Sequence, residues 1–298
     1  MKDNESIQIA HNKKMHNRVA SVYSLGHPEI YNPTEQIRLQ DVLLYAYRHI
    51  QTGAVSPYVL DYGAGDGNIA LQLLKLGADV VASDISEKML EQLHLKIPPE
   101  SHLQTVLLNG IDLRQYEDNT FDMITSYSVL HHIPDYMAIM KEMIRVLQPG
   151  GVIFIDHEAA PAYWKWDTSY ILYSKNLMLN YRNNNEQQNI TYPFYTEHPL
   201  MKSAIGRTML KYWKMIKYNA VLLYKKHDIT KNEEGDIHVY IDDHILWDDI
   251  LITLNDTCEI IQQTDYLVCR EQDSLAPIWN EWKNKCVDTR ILIARKYN

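Results

Sequence analysis

The sequence predicts an α/β protein with a doubly wound, mostly parallel sheet, and two observations lead to that fold. First, short apolar runs alternate with segments whose apolar residues recur at helical spacing, as in parallel strands joined by crossover helices. Second, the run at residues 58–60 enters a glycine-rich turn, and the next run, at residues 80–83, ends at an acidic residue, Asp84. This pairing is typical of α/β sheets that bind nucleotides at the carboxyl ends of their strands.

The glycine-rich turn has glycines at alternate positions, Gly63, Gly65 and Gly67, and is preceded by Asp61. Without a Cβ atom, the backbone there can turn sharply and approach a ligand closely. The spacing differs from the G-x-G-x-x-G that places a pyrophosphate at a helix N-terminus, and an adjacent acid repels a pyrophosphate but attracts a cationic group. Asp84 is placed to accept hydrogen bonds from both hydroxyls of a ribose. The predicted ligand therefore contains adenosine.

Three further apolar runs continue the sheet, at residues 106–108, from residue 121 onward, and at residues 152–155. After the glycine turn and Asp84, the third motif is residues 110–113 and the fourth is residues 121–133, while the last run ends at residues 156–158. Because ligands bind beyond the carboxyl ends of parallel strands, these segments are expected at the same site as the glycine turn.

Connecting helices are predicted from apolar residues that share one helical face. The first face is formed by Ile69, Leu73 and Leu76, with Gly77 ending the helix; the second is formed by Met137, Met140, Ile144 and Leu147. A helix is also predicted before the first strand, at residues 37–49, and another begins near residue 242.

With these four motifs in this order, the chain resembles class I S-adenosylmethionine-dependent methyltransferases, in particular the small-molecule, ubiquinone-type branch. The resemblance is strong over residues 58–158 and weak in the C-terminal segment. It implies a Rossmann-like sheet of seven strands with an antiparallel last strand, S-adenosylmethionine as cofactor and S-adenosylhomocysteine as product. The strands that close the sheet are predicted at residues 258–262 and 290–294.

The resemblance also implies a set of cofactor contacts. Asp61 helps to hold the ammonium and sulfonium end, directly or through water, Asp84 binds the ribose, and Asp112 accepts from the adenine amino group. The expected cofactor-binding residues are Asp61, Gly63, Ala64, Gly65, Asp84, Ile85, Asp112, Leu113, Tyr127, Ser128 and Tyr23.

Methyl transfer from a sulfonium is an in-line displacement that depends on positioning and on exclusion of water. A general base is needed when the nucleophile is a hydroxyl or a protonated amine. His157 and Glu158 are the preferred candidates because their strand end should face the transferred methyl group, and His131 is the third. Each histidine has an alternative structural interpretation. A metal site is not predicted, since no tight ligand spacing is present.

The sequence predicts four segments. They are an N-terminal helical segment that covers the cofactor (1–50), the cofactor-binding α/β core (51–158), an aromatic-rich helical cap insertion (159–240) and the completion of the core (241–298). The expected substrate-binding residues are Tyr31, His131, His157, Tyr163, Trp164, Tyr195 and His198.

Charge separates the inserted segment from the rest of the chain. Residues 159–235 carry 9 Lys and 2 Arg against 2 Asp and 4 Glu, a net charge of +5, whereas the whole chain of 298 residues carries −9. The cap therefore recognises an acidic small molecule, lies on an anionic membrane surface or forms a homodimer interface, or its lysines are the solvated face of an amphipathic helix.

Composition restricts the partner classes. A net charge of −9 argues against binding to nucleic acid, which depends on Lys and Arg. The fourth motif also lacks the Asn/Asp-Pro-Pro-Tyr/Phe pattern of enzymes that methylate DNA bases or glutamine side chains. Three cysteines without metal-site spacing, no apolar leader and no run of about 18 apolar residues favour a cytoplasmic protein without integral membrane contact.

Several functions remain open from the sequence. The leading one is methyl transfer to an oxygen or nitrogen of a small metabolite. A lipid or quinone-like acceptor at a membrane surface is the second. An NAD-dependent oxidoreductase would need the missing dinucleotide spacing, and the retained acids and glycines argue against a catalytically inactive cofactor-binding protein.

Overall fold

The computed structural model describes residues 2–98, 101–165, 167–188, 235–240 and 242–298. In those residues the strands are β1 (Tyr58–Tyr62), β2 (Asp79–Asp84), β3 (Leu103–Leu107), β4 (Phe121–Tyr127), β5 (Leu147–Ala159), β6 (Val239–Tyr240), β7 (Asp243–His244), β8 (Cys258–Tyr266) and β9 (Thr289–Lys296). The described helices are α1 (Lys2–Val19), α2 (Tyr23–Gly26), α3 (Pro28–Tyr31), α4 (Pro33–Tyr47), α5 (Ala70–Lys75), α6 (Glu87–His94), α7 (Tyr136–Val146), α8 (Thr168–Gln188), α9 (Trp247–Asn255) and α10 (Pro277–Trp282).

Seven of the strands form one sheet in the order β3-β2-β1-β4-β5-β9-β8. Strands β1 to β5 pair in parallel, whereas β9 runs antiparallel to both of its neighbours, β5 and β8. This confirms the predicted α/β fold, with its mostly parallel sheet of seven strands and its antiparallel last strand. The short pair β6 and β7 forms a separate two-stranded sheet.

Helices cover both faces of the sheet. Successive strand residues point to opposite faces, so neighbouring residues of one strand belong to different hydrophobic cores. Leu60 and Ile124 belong to one hydrophobic core, which also contains residues of α7 and α9, and their neighbours Val59 and Met123 belong to the other. The second core also contains residues of α4 and α5. Burial on both faces explains why these strands are continuous apolar runs rather than alternating ones.

Side-chain caps fix where three of the helices begin. Asn32 accepts a hydrogen bond from the Glu35 N–H (2.9 Å) at the start of α4, and Asp135 accepts one from Ala138 (2.9 Å) at the start of α7. Ser86 Oγ caps α6 through the Met89 N–H (3.1 Å). Because β2 ends at Asp84, two residues before this cap, the start of α6 lies beside the ligand-binding end of the sheet.

Some predicted boundaries are wrong. Leu147, placed in the helical repeat of α7, is the first residue of β5, and the helix expected near residue 242 begins only at Trp247. Strand β3 begins at Leu103, earlier than its apolar run suggests, because this edge strand also contains polar residues. Helix α4 begins at Pro33, which suits a first helical turn.

The chain divides into two compact units, one formed by residues 1–170 and 229–298 and the other by residues 171–228. In the second unit the structure describes residues 171–188, which belong to α8. Most of the predicted cap, including Tyr195 and His198, lies outside the described residues, so the cap remains a prediction. Within the described ranges, no helix combines the length and hydrophobicity that crossing a bilayer requires.

Candidate active site

A cavity lies at the carboxyl ends of β1, β2 and β4. Its space, together with its open mouth, measures about 860 Å³. Its walls come from the glycine turn after β1, the segments at the ends of β2, β3 and β4, and the N-terminal helices. The lining residues are Ile9, Asn12, His16, Tyr23, Ile30, Tyr31, Tyr62, Gly63, Ala64, Gly65, Asp66, Asn68, Ile69, Asp84, Ile85, Met89, Leu108, Gly110, Tyr127, Ser128, Val129, His132, Ile133 and Pro134.

The glycine turn is held against β2 by its backbone. The N–H groups of Gly63 and Ala64 both donate to the carbonyl of Ser83, at 2.8 and 2.9 Å. A Cβ atom at Gly63 would lie 2.4 Å from a methyl group of Val129, so packing excludes any side chain there. Gly65 has a φ of +53° and nothing within 4 Å of its Cβ position, which leaves ligand space beside it.

Asp84 lies in the cavity wall and is tied to the turn. Its Oδ2 accepts from the Gly65 N–H (2.9 Å) and its Oδ1 from the Ser86 N–H (2.8 Å). Burial raises the pKa of this carboxyl above its ordinary value. Each carboxylate oxygen has two lone pairs, so acceptor capacity remains for the hydroxyls of a ribose.

Asp61 lies beneath the turn and is almost completely buried. Its Oδ1 accepts from the hydroxyl of Thr125 at 2.8 Å, whereas Oδ2 is buried without a hydrogen-bond partner in the described part of the chain. Burial raises the pKa of Asp61 to about 7. Asp61 does not itself line the cavity, so its predicted interaction with a cationic ligand would act across the turn or through water.

Two tyrosines from the N-terminal helices, Tyr23 and Tyr31, line the cavity as the sequence suggested. The Tyr31 hydroxyl donates to the carboxylate of Asp66, which also binds Lys96 Nζ (2.6 Å). Burial raises the pKa of Tyr23 well above its ordinary value. Tyr23 therefore remains protonated at neutral pH and can donate a hydrogen bond to a ligand, whereas the proton of Tyr31 is already donated to Asp66.

The predicted adenine contacts at Asp112 and Leu113 do not match this cavity. Among the cavity-lining residues, Gly110 is present but neither Asp112 nor Leu113 is. The Leu113 side chain is fully buried in the core, and its N–H donates to Glu142 Oε2 at 3.1 Å. Asp112 accepts instead from Asn109 Nδ2 (3.0 Å). The apolar part of the cavity wall is formed by Ile85, which was predicted, and by Leu108 and Met89, which were not, because in sequence they resemble ordinary core residues.

His157, the preferred base, packs against Tyr127 of the cavity wall. Its backbone has a φ of +62°, and its ring stacks on Tyr127 with centroids 4.9 Å apart. Burial holds the pKa of His157 well below its ordinary value, and its Nε2 has no hydrogen-bond partner among the described residues. It is not among the lining residues. The geometry therefore does not fit a proton acceptor for a ligand in this cavity.

Glu158, the second candidate base, is fully committed to its neighbours. Its Oε1 accepts from the N–H groups of Val129 and Leu130, at 2.8 and 2.7 Å. Its Oε2 lies 2.8 Å from Nδ1 of His131. Glu158 is only 1 % exposed, so it orients the turn after β4 and the His131 ring rather than meeting a ligand.

A polar cluster, formed by His131, His132 and Asp236, lies at the rim of the cavity. His132 itself lines the cavity, and the rings of the two histidines are 4.1 Å apart. Asp236 Oδ1 lies 3.3 Å from His132 Nδ1 and 3.8 Å from His131 Nε2. Burial holds the pKa of His132 well below its ordinary value. No sequence pattern pointed to Asp236, which lies about a hundred residues along the chain from the two histidines.

A buried ion network behind the cavity was also missed. Arg38 from α4 lies 2.7 Å from Asp156 Oδ2 and binds both oxygens of Glu35. Tyr266 donates to Asp156 Oδ1 at 2.8 Å, and Tyr127 donates to Glu35 at 3.3 Å. Burial raises the pKa of Glu35 to about 7. The network joins α4, β4, β5 and β8, and so fixes the strand end that carries the cavity wall.

Two residues of the predicted cap that were expected to contact the substrate, Tyr163 and Trp164, pack against each other. Trp164 packs edge-on against Tyr163 and stacks on His244, with centroids 4.9 and 4.7 Å apart. Neither aromatic residue lines the cavity, so substrate contact by this pair remains a prediction.

Comparison with known proteins agrees with this geometry. Residues 60–155 match the family model described as "Methyltransferase domain". Demethylmenaquinone methyltransferases of Bacillus cereus and Bacillus anthracis are each 37 % identical to the chain over 118 residues, 39 % of this chain and 50 % of theirs. The chain thus spans about half the length of the curated relatives it matches.

A solved structure is similar in fold. It is an S-adenosylmethionine-dependent methyltransferase from Mesorhizobium loti, with 16 % sequence identity and a TM-score of 0.50. The similarity covers 86 % of this chain and 96 % of that one. At this level of identity, the match supports the sheet topology described above.

Proposed function

We propose that this chain, a member of the class I S-adenosylmethionine-dependent methyltransferases, transfers a methyl group from S-adenosylmethionine to an oxygen or nitrogen of a small molecule. The observation that carries the proposal is the cavity in which Asp84 and the glycine turn lie side by side. There Asp84 Oδ2 binds the Gly65 N–H at 2.9 Å. An acid and an exposed backbone turn in contact suit a ribose and the cationic end of the cofactor.

The apolar part of the cavity supports an adenosine-containing cofactor. Three apolar side chains line the same cavity as Asp84 and offer contact area to an adenine ring: Ile85, Met89 and Leu108. The polar residues Tyr31 and Asp66 lie beside the glycine turn, where the amino-acid end of the cofactor is expected.

The proposed reaction balances without another reactant. A lone pair of the acceptor oxygen or nitrogen forms the new bond to the methyl carbon, the sulfur–carbon bond breaks, and its electron pair returns to sulfur, which becomes neutral. The acceptor's proton leaves. The chain's contribution is to hold the two reactants in line and to keep water from the sulfonium. Tyr23 and Tyr31 from the N-terminal helices contribute to that enclosure.

A quinone-like acceptor is the second candidate, and one observation favours it. The matching relatives are named demethylmenaquinone methyltransferases. For a small metabolite and for a quinone-like acceptor alike, we propose that residues 159–240 form the acceptor-binding cap, because this segment is rich in basic and aromatic residues.

The function can be tested by transfer of a tritiated methyl group. The full-length protein is incubated with methyl-labelled S-adenosylmethionine and with separate acceptor sets: phenols and other hydroxyl compounds, amines, and a soluble quinol. Formation of S-adenosylhomocysteine together with a labelled acceptor is expected. If none of the acceptor sets leads to consumption of S-adenosylmethionine and the protein binds NAD tightly, the proposal is rejected in favour of an oxidoreductase.

Two variants serve as a matched pair in that assay. Asp84→Asn keeps the size of the side chain but loses one acceptor facing the turn, and it should lower cofactor affinity at least about tenfold, as loss of a charge-assisted hydrogen bond does. Asp79→Asn, at the exposed start of the same strand, should bind and turn over as the wild type does.

A further inference from the structure

We propose that His131, His132 and Asp236 bind a divalent transition-metal ion at the rim of the cofactor cavity. One donor atom from each residue lies within 4.8 Å of the other two. Two imidazoles and one carboxylate form a ligand set used by zinc and by non-haem iron enzymes, with open positions left for water or substrate. Mg²⁺ and Ca²⁺, which prefer oxygen ligands, suit it less well.

The distances from Asp236 Oδ1 to the two imidazole nitrogens are close to those between ligands around an ion. Metal–ligand bonds of about 2.0–2.1 Å in tetrahedral geometry place two ligand atoms about 3.3 Å apart. The His132 Nδ1 to Asp236 Oδ1 separation is 3.3 Å, and the His131 Nε2 to Asp236 Oδ1 separation is 3.8 Å. The second pair needs to close by only about half an ångström on metal binding.

The environment of His131 supports the site independently. Metal-binding histidines usually give their other ring nitrogen to a carboxylate, which fixes the tautomer and orients the ring. Glu158 occupies that position, with Oε2 2.8 Å from His131 Nδ1. His131 Nε2 is then the nitrogen that carries the lone pair, and it faces Asp236.

His132 supplies a second independent observation. Its Nδ1 is buried and makes no hydrogen bond within the described ranges, although Asp236 Oδ1 lies 3.3 Å away. A buried polar atom without a partner is unfavourable unless something else satisfies it. An ion coordinated by Nδ1 would do so.

The backbone holds Asp236 at this place. The carbonyl of His131 accepts from the N–H groups of Ile237 and His238, at 2.9 and 3.0 Å. Gly235, at φ +80°, lets the chain enter this contact close to Asn12. The three ligands are thus pinned to one another through the main chain, although they come from distant parts of the sequence.

The site suggests which acceptors the enzyme uses, a step that rests on the proposed function. His132 borders the cavity, so an ion there lies next to bound cofactor and can coordinate an acceptor oxygen. An ion held by His131, His132 and Asp236 would act as a Lewis acid that favours loss of the proton of an acceptor hydroxyl to solvent. The inferred substrate class is therefore hydroxyl compounds, with oxygen as the methylated atom.

The test is calorimetric titration of the metal-depleted, tag-free protein with Zn²⁺, with Mg²⁺ as a comparison. One Zn²⁺ per chain is expected. Asp236→Asn and His131→Gln should each weaken Zn²⁺ binding at least about tenfold, since even indirect partners of metal ligands have effects of that size. The matched controls are Asp118→Asn and His102→Gln, both on exposed side chains outside the cluster, and they should bind as the wild type does.

Each outcome decides the proposal. Absence of a Zn²⁺ site in the wild type, or equal affinity in the cluster variants and the controls, overturns it. Thermal melts identify a variant that fails to fold, in which case His132→Gln takes its place. Binding of S-adenosylhomocysteine is measured in parallel. If that ligand binds and Zn²⁺ does not, the metal site is wrong while the proposed function stands; the reverse result retains the metal site and rejects the cofactor.

Discussion

The carboxylate of Glu158 joins His131 to the turn that follows β4. Oε2 lies 2.8 Å from His131 Nδ1, while Oε1 accepts from two main-chain N–H groups. A single buried side chain from β5 therefore fixes both the path of the backbone along the cavity rim and the orientation of an imidazole. These contacts favour a positioning role for Glu158 over the predicted role of general base.

Replacement of Glu158 by Gln should separate positioning from cofactor binding. The amide of Gln has a single acceptor oxygen, whereas the N–H groups of Val129 and Leu130 and the His131 ring all bind the carboxylate. Its NH₂ group would face His131 Nδ1–H, so that two donors meet. We expect methyl transfer to fall about 10–100-fold and the free energy of unfolding to fall by about 1–3 kcal/mol, with cofactor affinity almost unchanged. Turnover, cofactor titration and urea denaturation measure the three quantities.

The control for that variant is Glu259→Gln, at an exposed ion pair with Arg295 on the far edge strands. It should change stability by less than about 1 kcal/mol and leave turnover unaltered. Full activity of Glu158→Gln would show that the His131 orientation does not matter to transfer.

A methyl group at Gly65 should reduce ligand binding without preventing folding. Gly65→Ala costs about 1–2 kcal/mol because of the positive φ, but its Cβ meets no protein atom and enters ligand space. Gly77→Ala is the matched control: it too has a positive φ and open space, but it lies outside the cavity lining. Calorimetry should show weaker S-adenosylhomocysteine binding only for Gly65→Ala, and equal affinities would mean that the cofactor does not lie against the turn.

Removal of the His157 imidazole should leave methyl transfer largely intact. Asn tolerates a positive φ, so His157→Asn keeps the backbone and loses the stacking on Tyr127, worth about 1 kcal/mol. We expect turnover within about threefold of the wild type, whereas loss of a general base costs about 100-fold or more. A drop of that larger size with unchanged cofactor affinity would restore His157 as the base.

The placement of His157 shows where sequence reasoning reaches its limit. The position of His157 and Glu158 at the carboxyl end of β5 predicts that they face the ligand, but the pairing of β5 with β9 shifts register between Ile155 and Glu158. Such a bulge re-aims the side chains that follow it. His157 turns toward Tyr127, and Glu158 turns inward. Apolar patterns predict the strands, yet they contain no information about a single added residue.

Long-range pairs are the other part that the sequence did not predict. The glycine turn and Asp84 are local patterns with a known geometric meaning, and their adjacency was predicted. Asp236 reaches His132, and Arg38 reaches Asp156, only through the tertiary fold. A single charged residue in the sequence does not show which distant residue it will contact in the folded protein. Most of the predicted cap lies outside the described residues, so that part of the prediction stays open.

Cofactor binding should release protons through Asp61. Burial raises the pKa of Asp61 to about 7, and a cationic ligand nearby favours its ionised form, which lowers that pKa. Affinity for S-adenosylmethionine should therefore rise as the pH increases toward about 7 and then level off. Calorimetry at pH 6.5 in buffers of different ionisation enthalpy measures the protons released.

Asp61→Asn is the control for proton release, because it keeps the shape and cannot titrate. The variant should release fewer protons than the wild type. The same number in both proteins would exclude Asp61 as the linked group.

Stability should depend on pH through Glu35. Burial raises its pKa from about 4.5 to about 7 in the folded chain, so folding favours the protonated form. The associated stability is fully present below the unfolded pKa and is lost as the pH rises to about 7, a change on the order of 3 kcal/mol. Asp61 contributes a slope of the same sign, since burial also raises its pKa.

The difference between the wild type and Glu35→Gln isolates the Glu35 part. Urea denaturation of both proteins at pH 5 and pH 8 should show the wild type losing more stability than the variant over this interval. Parallel pH dependences would mean that Arg38 keeps Glu35 ionised throughout.

The central claim is that the cavity beside Asp84 binds S-adenosylmethionine. The most direct measurement is calorimetric titration of the wild type and Asp84→Asn with S-adenosylmethionine, S-adenosylhomocysteine and NAD, each alone. We predict that both sulfur nucleosides bind the wild type, that their affinity falls at least about tenfold in Asp84→Asn, and that NAD does not bind. Binding of NAD alone, or equal affinity of both proteins for S-adenosylmethionine, would contradict the account.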